Sequence, residues 1–103
     1  MEPAAFVCLV EIRLHVADSD NLKSKRKVVR SVKDAVRERL GAAVAEIDGQ
    51  DTWQRSTLLC ALVGGSQEQL ASRADRLEEI VIARAGDSCS FQRDLRSLED
   101  LRA

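Results

Sequence analysis

The chain has 103 residues and is poor in aromatics, with only Phe6, Trp53 and Phe91 and no tyrosine. Proteins that stack RNA bases on a sheet need several exposed aromatics, and that platform is absent. There is one histidine, His15. Nucleophilic triads need a base with a partner that orients it, and none is suggested, so His15 reads as a solvated strand residue. The three cysteines, Cys8, Cys60 and Cys89, are odd in number, widely spaced and without a CxxC pair. A structural zinc site is thereby excluded, and each thiol reads as a small buried hydrophobe. The apolar runs Phe6–Val10 and Leu58–Val63 fall far short of the ~20 residues that span a bilayer. No basic segment precedes an apolar one at the N-terminus, so no secretory signal is read and a cytoplasmic protein is expected.

What is present is an ordinary globular composition, 45% hydrophobic and 32% charged, at the size of a single domain. The net charge of −1 hides an asymmetry. Between Lys23 and Arg39 lie eight basic residues and only two acids, Asp34 and Glu38, a local net of +6. The rest of the chain carries −7. A chain with almost no net charge has gathered its positive charge in one place.

Hydrophobic periodicity supplies the elements. Phe6 to Val16 alternates, with Phe6, Cys8, Val10, Ile12, Leu14 and Val16 on one face, as a half-buried strand does. Asp18 to Asn21 breaks that pattern, and Asn21 is a good helix N-cap. Leu22 to Leu40 has Leu22, Val29, Val32, Val36 and Leu40 at helical spacing, and Gly41 stops it. Ala43–Asp48 and Thr57–Val63 read as strands joined by a hairpin. The second of these is apolar on both faces and therefore central. Gly64-Gly65-Ser66 turns the chain, and Ser66 with Gln69 has the spacing of a capping box. Gln67 to Ala85 is a second helix and Ser88–Leu95 a fourth strand. Residues 99–103 are expected to fray. The order βαββαβ predicts an α+β, ferredoxin-like plait over residues 1–103: one antiparallel sheet, both helices on one face and the first and third strands in the centre. That fold hosts many functions and selects none.

The candidate chemistry is weighed residue by residue. Glu46, Asp48 and Asp51 offer oxygen ligands for a divalent cation, but a hydrogen-bonded turn explains them as well. Gly64-Gly65-Ser66 precedes a helix without the lysine or spacing of a phosphate loop. No cofactor site and no enzyme are read. In the first helix, Lys23, Lys27, Arg30 and Arg37 recur at spacings of three, four and seven residues, with Arg26 and Lys33 beside them. Such a row, opposite the valine stripe, suits the phosphates of a nucleic acid. It also suits a merely solvated face. Trp53, next to Gln54 and Arg55, either covers the edge of the core or stacks on a partner.

Two blocks of sequence carry a resemblance. Asn21-Leu22-Lys23-Ser24-Lys25-Arg26, followed by Val28-Val29-Arg30-Ser31-Val32-Lys33-Asp34, resembles the "SLK-x-KR" basic helix of the YlxP-like proteins. These are the small bacterial family known as domain of unknown function 503. Ala45-Glu46-Ile47-Asp48-Gly49-Gln50-Asp51-Thr52-Trp53-Gln54-Arg55 resembles that family's "AEVD-x-QD-x-WQR" segment. The likeness spans about Phe6 to Leu95. It departs at Asn21 for serine, at His15-Val16-Ala17 for Leu-Pro, and at Leu40-Gly41 for Phe-Asn. The resemblance implies a ferredoxin-like fold and no known activity. Members are encoded beside translation and ribosome-maturation genes, which implies RNA or the ribosome as partner. The leading expectation is a non-catalytic RNA- or ribosome-associated protein. In it Lys23, Lys25, Arg26, Lys27, Arg30, Lys33 and Arg37 contact phosphate, with a secondary contact from Trp53 and Arg55. The rival is a protein-interaction module, either through an acidic partner on the basic helix or through a homodimer. For the homodimer, helices on one side would leave Val7, Leu9 and part of Thr57–Val63 open on the other.

Overall fold

The computed structural model describes residues 3–16, 21–50, 52–86 and 88–103. The turn read at Asp18 to Asp20, the candidate ligand Asp51, and Asp87 lie outside these. The elements are β1 (Phe6–His15), α1 (Leu22–Leu40), β2 (Ala43–Asp48), β3 (Arg55–Gly64), α2 (Gln67–Ala85), β4 (Cys89–Ser97) and a short α3 (Leu98–Arg102). The four strands form one antiparallel sheet in the order β2-β3-β1-β4. Strands one and three are central, as the alternating and doubly apolar patterns require. Both long helices pack on one face of the sheet and against each other, which is the expected ferredoxin-like plait.

The alternation of β1 sets the core. Cys8, Val10, Ile12 and Leu14 are buried on the helix side, opposite Leu58, Cys60 and Leu62 of β3. From α1 come Val29, Val32 and Val36, and from α2 come Leu70, Ala74, Leu77 and Val81. Burial pushes the Cys60 thiol up to about 12 and raises that of Cys8, so both behave as hydrophobes. The helix caps follow the sequence. The Asn21 side chain accepts from the Ser24 N–H at 2.8 Å, and Ser66 accepts from that of Gln69 at 3.2 Å. Gly41 ends α1 at φ 63°, a left-handed conformation that side chains resist. Arg93 ties β4 to α2 through Asp75 and Glu78, both at 2.7 Å.

Two features differ from the sequence expectation. Residues 99–103 are not frayed: Leu98–Arg102 is helical, and Ser97 and Asp100 cap each other reciprocally. The Leu98 N–H also bonds the Ala5 carbonyl at 2.8 Å, which fastens this turn to the start of β1. The Ser-x-x-Asp spacing was the available signal. Strand β4 runs to Ser97 rather than Leu95, because Ser97 pairs with Phe6 at the far end of β1. No helix among the described residues is long and apolar enough to cross a membrane.

Candidate nucleic-acid interface

Helix α1 presents its cations in an arrangement that the spacing alone did not resolve. Lys25 is the correction. It was read as one of the phosphate contacts, yet it is 1% exposed. It lies four and seven residues before Val29 and Val32, so it continues the buried stripe of the helix. Its ammonium donates to the Gly49 carbonyl at 2.6 Å and pairs with Glu46 Oε2 at 3.1 Å. Ser56 Oγ, also buried, donates to the same Glu46 oxygen. A charge this deep requires such partners, because burying it alone costs several kcal/mol. Burial acts to raise the Glu46 carboxyl. The hydrogen bonds from Ser56 and Lys25, with the charges of Lys25 and Lys33, outweigh it and hold the group below its ordinary value.

This clasp joins the two recognisable sequence blocks. The first block supplies Lys25. The second supplies Glu46 and Gly49, and Ser56 follows it. The register of β2 against β3 shifts between Glu46 and Asp48 at this point. Gly49 sits at φ +86°, and a Cβ there would come within 2.7 Å of the Arg55 carbonyl oxygen. Only glycine fits, and its carbonyl is the one that Lys25 holds. Glu46 and Asp48 were weighed as cation ligands. Glu46 is instead committed to Lys25 and Ser56, and Asp48 accepts from the Gly49 N–H at 2.8 Å.

The remaining cations divide into two sets. Arg26, Arg30, Lys33 and Arg37 line a groove of about 410 Å³ between α1 and β2, with Val29, Asp34 and Glu46. Their spacing of four, three and four residues keeps them on one side of the helix. Lys23 and Lys27 are exposed and lie outside the groove lining. The sequence reading had grouped Lys23 and Lys27 with Arg30 and Arg37. Among the described residues none of these six cations forms an ion pair, and only Arg37 has a hydrogen bond, to the Val44 carbonyl at 3.2 Å.

Trp53 is 48% exposed, so its ring does not serve as a buried cap on the core. The segment carrying it is anchored by the bond from Lys25 to Gly49 and by the Val16 N–H on the Gln54 carbonyl at 2.7 Å. Arg55 stands apart from the groove. It pairs with His15 across β1 and β3 and lines a shallow hollow with Arg13 and His15.

The sheet face away from the helices is apolar at one end. Val7 and Leu9 stand opposite Val63 and Ala61, and Ala43 and Ala45 stand opposite Ala61 and Leu59. Val63 is 70% exposed. Towards the other end the same face carries Glu11 and Arg13, which pair with each other at 3.2 Å.

Residues 7–90 match the family model described as "Protein of unknown function (DUF503)". The "Uncharacterized protein YlxP" of Bacillus subtilis (strain 168) is 32% identical over 62 residues, covering 60% of this chain and 67% of that protein. Among solved structures, the de novo designed protein Foldit4 superposes with a TM-score of 0.50 at 12% identity, over 90% of this chain and 94% of its own. The design Ferredog-Diesel gives 0.50 at 13%, over 91% and 87%. At those identities the likeness is one of fold alone.

Proposed function

The chain belongs to the DUF503 family, and on that premise we propose that it is a non-catalytic, cytoplasmic RNA- or ribosome-associated binding protein. Lys23, Arg26, Lys27, Arg30, Lys33 and Arg37 make the phosphate contacts, and Trp53 makes a secondary one. One observation carries this reading: the six cations stand along one helix and none of them forms a close ion pair among the described residues. A solvated face gains by interspersing both signs, as α2 does with Arg76 and Glu79. Helix α1 does not. Lys25 is removed from the contact set, and Arg55 belongs to a separate basic corner with Arg13 and His15.

Co-sedimentation with ribosomal subunits across a salt series tests the proposal. Each neutralised phosphate contributes a slope of roughly 0.7–0.9 in log K against log salt, so four to six contacts give about −3 to −5. Replacing both Lys27 and Arg30 by Glu should remove most of the binding and leave folding intact, since both side chains are exposed. Undiminished binding by that variant would reduce α1 to a solvated face.

The second reading is a protein-interaction module. It is favoured by the apolar end of the open sheet face, where Val63 is 70% exposed. A second copy related by two-fold symmetry would cover it. Sedimentation at tens of micromolar separates an 11.4 kDa monomer from a dimer.

A further inference from the structure

Resting on the RNA-binding reading above, we infer that the groove between α1 and the free edge of β2 takes an extended single-stranded phosphodiester chain, not a duplex. The shape of the site comes first. Arg26, Arg30, Lys33 and Arg37 do not radiate from a convex ridge but line one side of a trough of about 410 Å³. Cations on one wall, with β2 on the other, flank a single extended strand along its length, whereas a duplex would meet them only at the rim. The cations recur about once per turn, ~5.4 Å along the axis, as the successive charges of one backbone do. A concave site also concentrates its field more than a ridge does.

The floor of the groove is prepared for an anion. Glu46 is a carboxylate that would repel phosphate, but Lys25 and Ser56 hold it from behind. The far wall is the edge of β2, whose Val44 and Glu46 carbonyls point outward and accept from Arg37 Nη2 at 3.2 Å and Gln50 Nε2 at 3.3 Å. The N–H groups of a strand residue point to the same side as its carbonyl, so those of Val44 and Glu46 face the free edge as well.

That edge also selects the class of partner. A peptide adding to β2 as a fifth strand would need both the N–H groups and the carbonyls of Val44 and Glu46. The chain's own Arg37 and Gln50 occupy the carbonyls. A phosphodiester backbone brings acceptors and needs donors, which is what remains on offer. The segment that carries the exposed Trp53 follows Gly49, whose carbonyl Lys25 holds.

The test is fluorescence anisotropy with a labelled twelve-nucleotide oligouridylate, a twelve-base-pair RNA duplex and an acidic peptide of matched charge. Three proteins are compared: the parent, a groove variant (Arg30→Glu with Lys33→Glu) and an outer variant (Lys23→Glu with Lys27→Glu), each checked for folding by circular dichroism. A Lys33→Gln, Arg30→Gln pair serves if the reversal unfolds. The single strand should bind the parent at least tenfold more tightly than the duplex. The groove variant should lose at least tenfold, and more than the outer variant, whose two cations contact phosphate only outside the trough. Duplex preference, or a larger loss in the outer variant, overturns the groove assignment while RNA binding stands. Binding of neither RNA sinks the functional proposal with it. Tighter binding of the acidic peptide transfers the groove to a protein partner.

Discussion

Replacing Lys25 by Met asks whether the most buried cation of α1 is structural. Methionine keeps most of the aliphatic stem and so isolates the loss of charge. Two groups lose their partner. The Gly49 carbonyl loses the donor at 2.6 Å, and Glu46 loses the ammonium at 3.1 Å. Breaking a buried pair from one side costs about 3–5 kcal/mol. The lower figure applies here, because the Glu46 side chain keeps 20% of its exposure and its bond from Ser56. At roughly 4–8 °C per kcal/mol for a domain of this size, the melting temperature should fall by roughly 12–24 °C. Changing Glu46 to Gln in the same chain removes the stranded charge and should recover about half of the loss.

Acid titration gives an independent check of the same clasp. The Glu46 carboxyl is held below its unfolded value, so its contribution is complete above the ordinary carboxylate range. That contribution is lost as the pH falls through the lowered folded value. Without Lys25 this part of the acid limb should shrink. A Lys25→Met protein that melts within about 3 °C of the parent but binds RNA more weakly would refute the reasoning. Lys25 would then be a surface contact, and the burial that links the two sequence blocks would be wrong.

Three further outcomes follow from single positions. Gly49→Ala should destabilise by about 2 kcal/mol in chemical denaturation, since the residue is at positive φ and its Cβ would meet backbone at 2.7 Å. Val63→Asp, 70% exposed on the open sheet face, should leave the melting temperature within a few degrees. It should abolish any dimer seen by sedimentation. Cys60, its thiol pushed up to about 12, should resist alkylation at pH 8 until the protein unfolds; labelling at the rate of a free thiol would contradict its burial.

The fold was legible because its signals are local and mutually consistent. Strict alternation in Phe6–His15, helical spacing in Leu22–Leu40 and Gln67–Ala85, and the caps Asn21, Gly41 and Ser66 each mark an element or its end. The site was only half legible. Charge counting located α1 but could not say which cations face out, and Lys25 was misread because a lysine in an apolar stripe looks like its edge. Its spacing to Val29 and Val32 was the clue, but its partners Glu46 and Gly49 lie more than twenty residues away and meet it only in three dimensions. Likewise the groove needs the edge of β2, which no pattern within the helix contains.

The charges of α1 also carry a cost to stability, and that cost predicts opposite responses to salt. Lys23 with Arg26 and Lys27, Arg26 and Lys27 with Arg30, Arg30 with Lys33, and Lys33 with Arg37 all stand three or four residues apart as like charges. Each such pair destabilises a helix by about 0.2–0.5 kcal/mol. Asp34 offsets part of this through Arg30 and Arg37, leaving roughly 1 kcal/mol of repulsion. The first turn contains no acidic residue to favour the helix dipole. Salt screens exposed charges over about 8 Å at physiological strength and more strongly above it. The free protein should therefore melt at a higher temperature as sodium chloride rises from about 0.05 to 0.5 M, while RNA binding weakens over the same range. Arg30→Gln removes three of the repulsive pairs and one attractive pair, so it should raise stability by about 0.5 kcal/mol and flatten the salt response. The same change should weaken binding to RNA. A variant that is stabler yet binds less well is the behaviour of a residue kept for a partner. If Arg30→Gln is no more stable than the parent at low salt, the cations of α1 are not in mutual strain, and a solvated face explains them equally well.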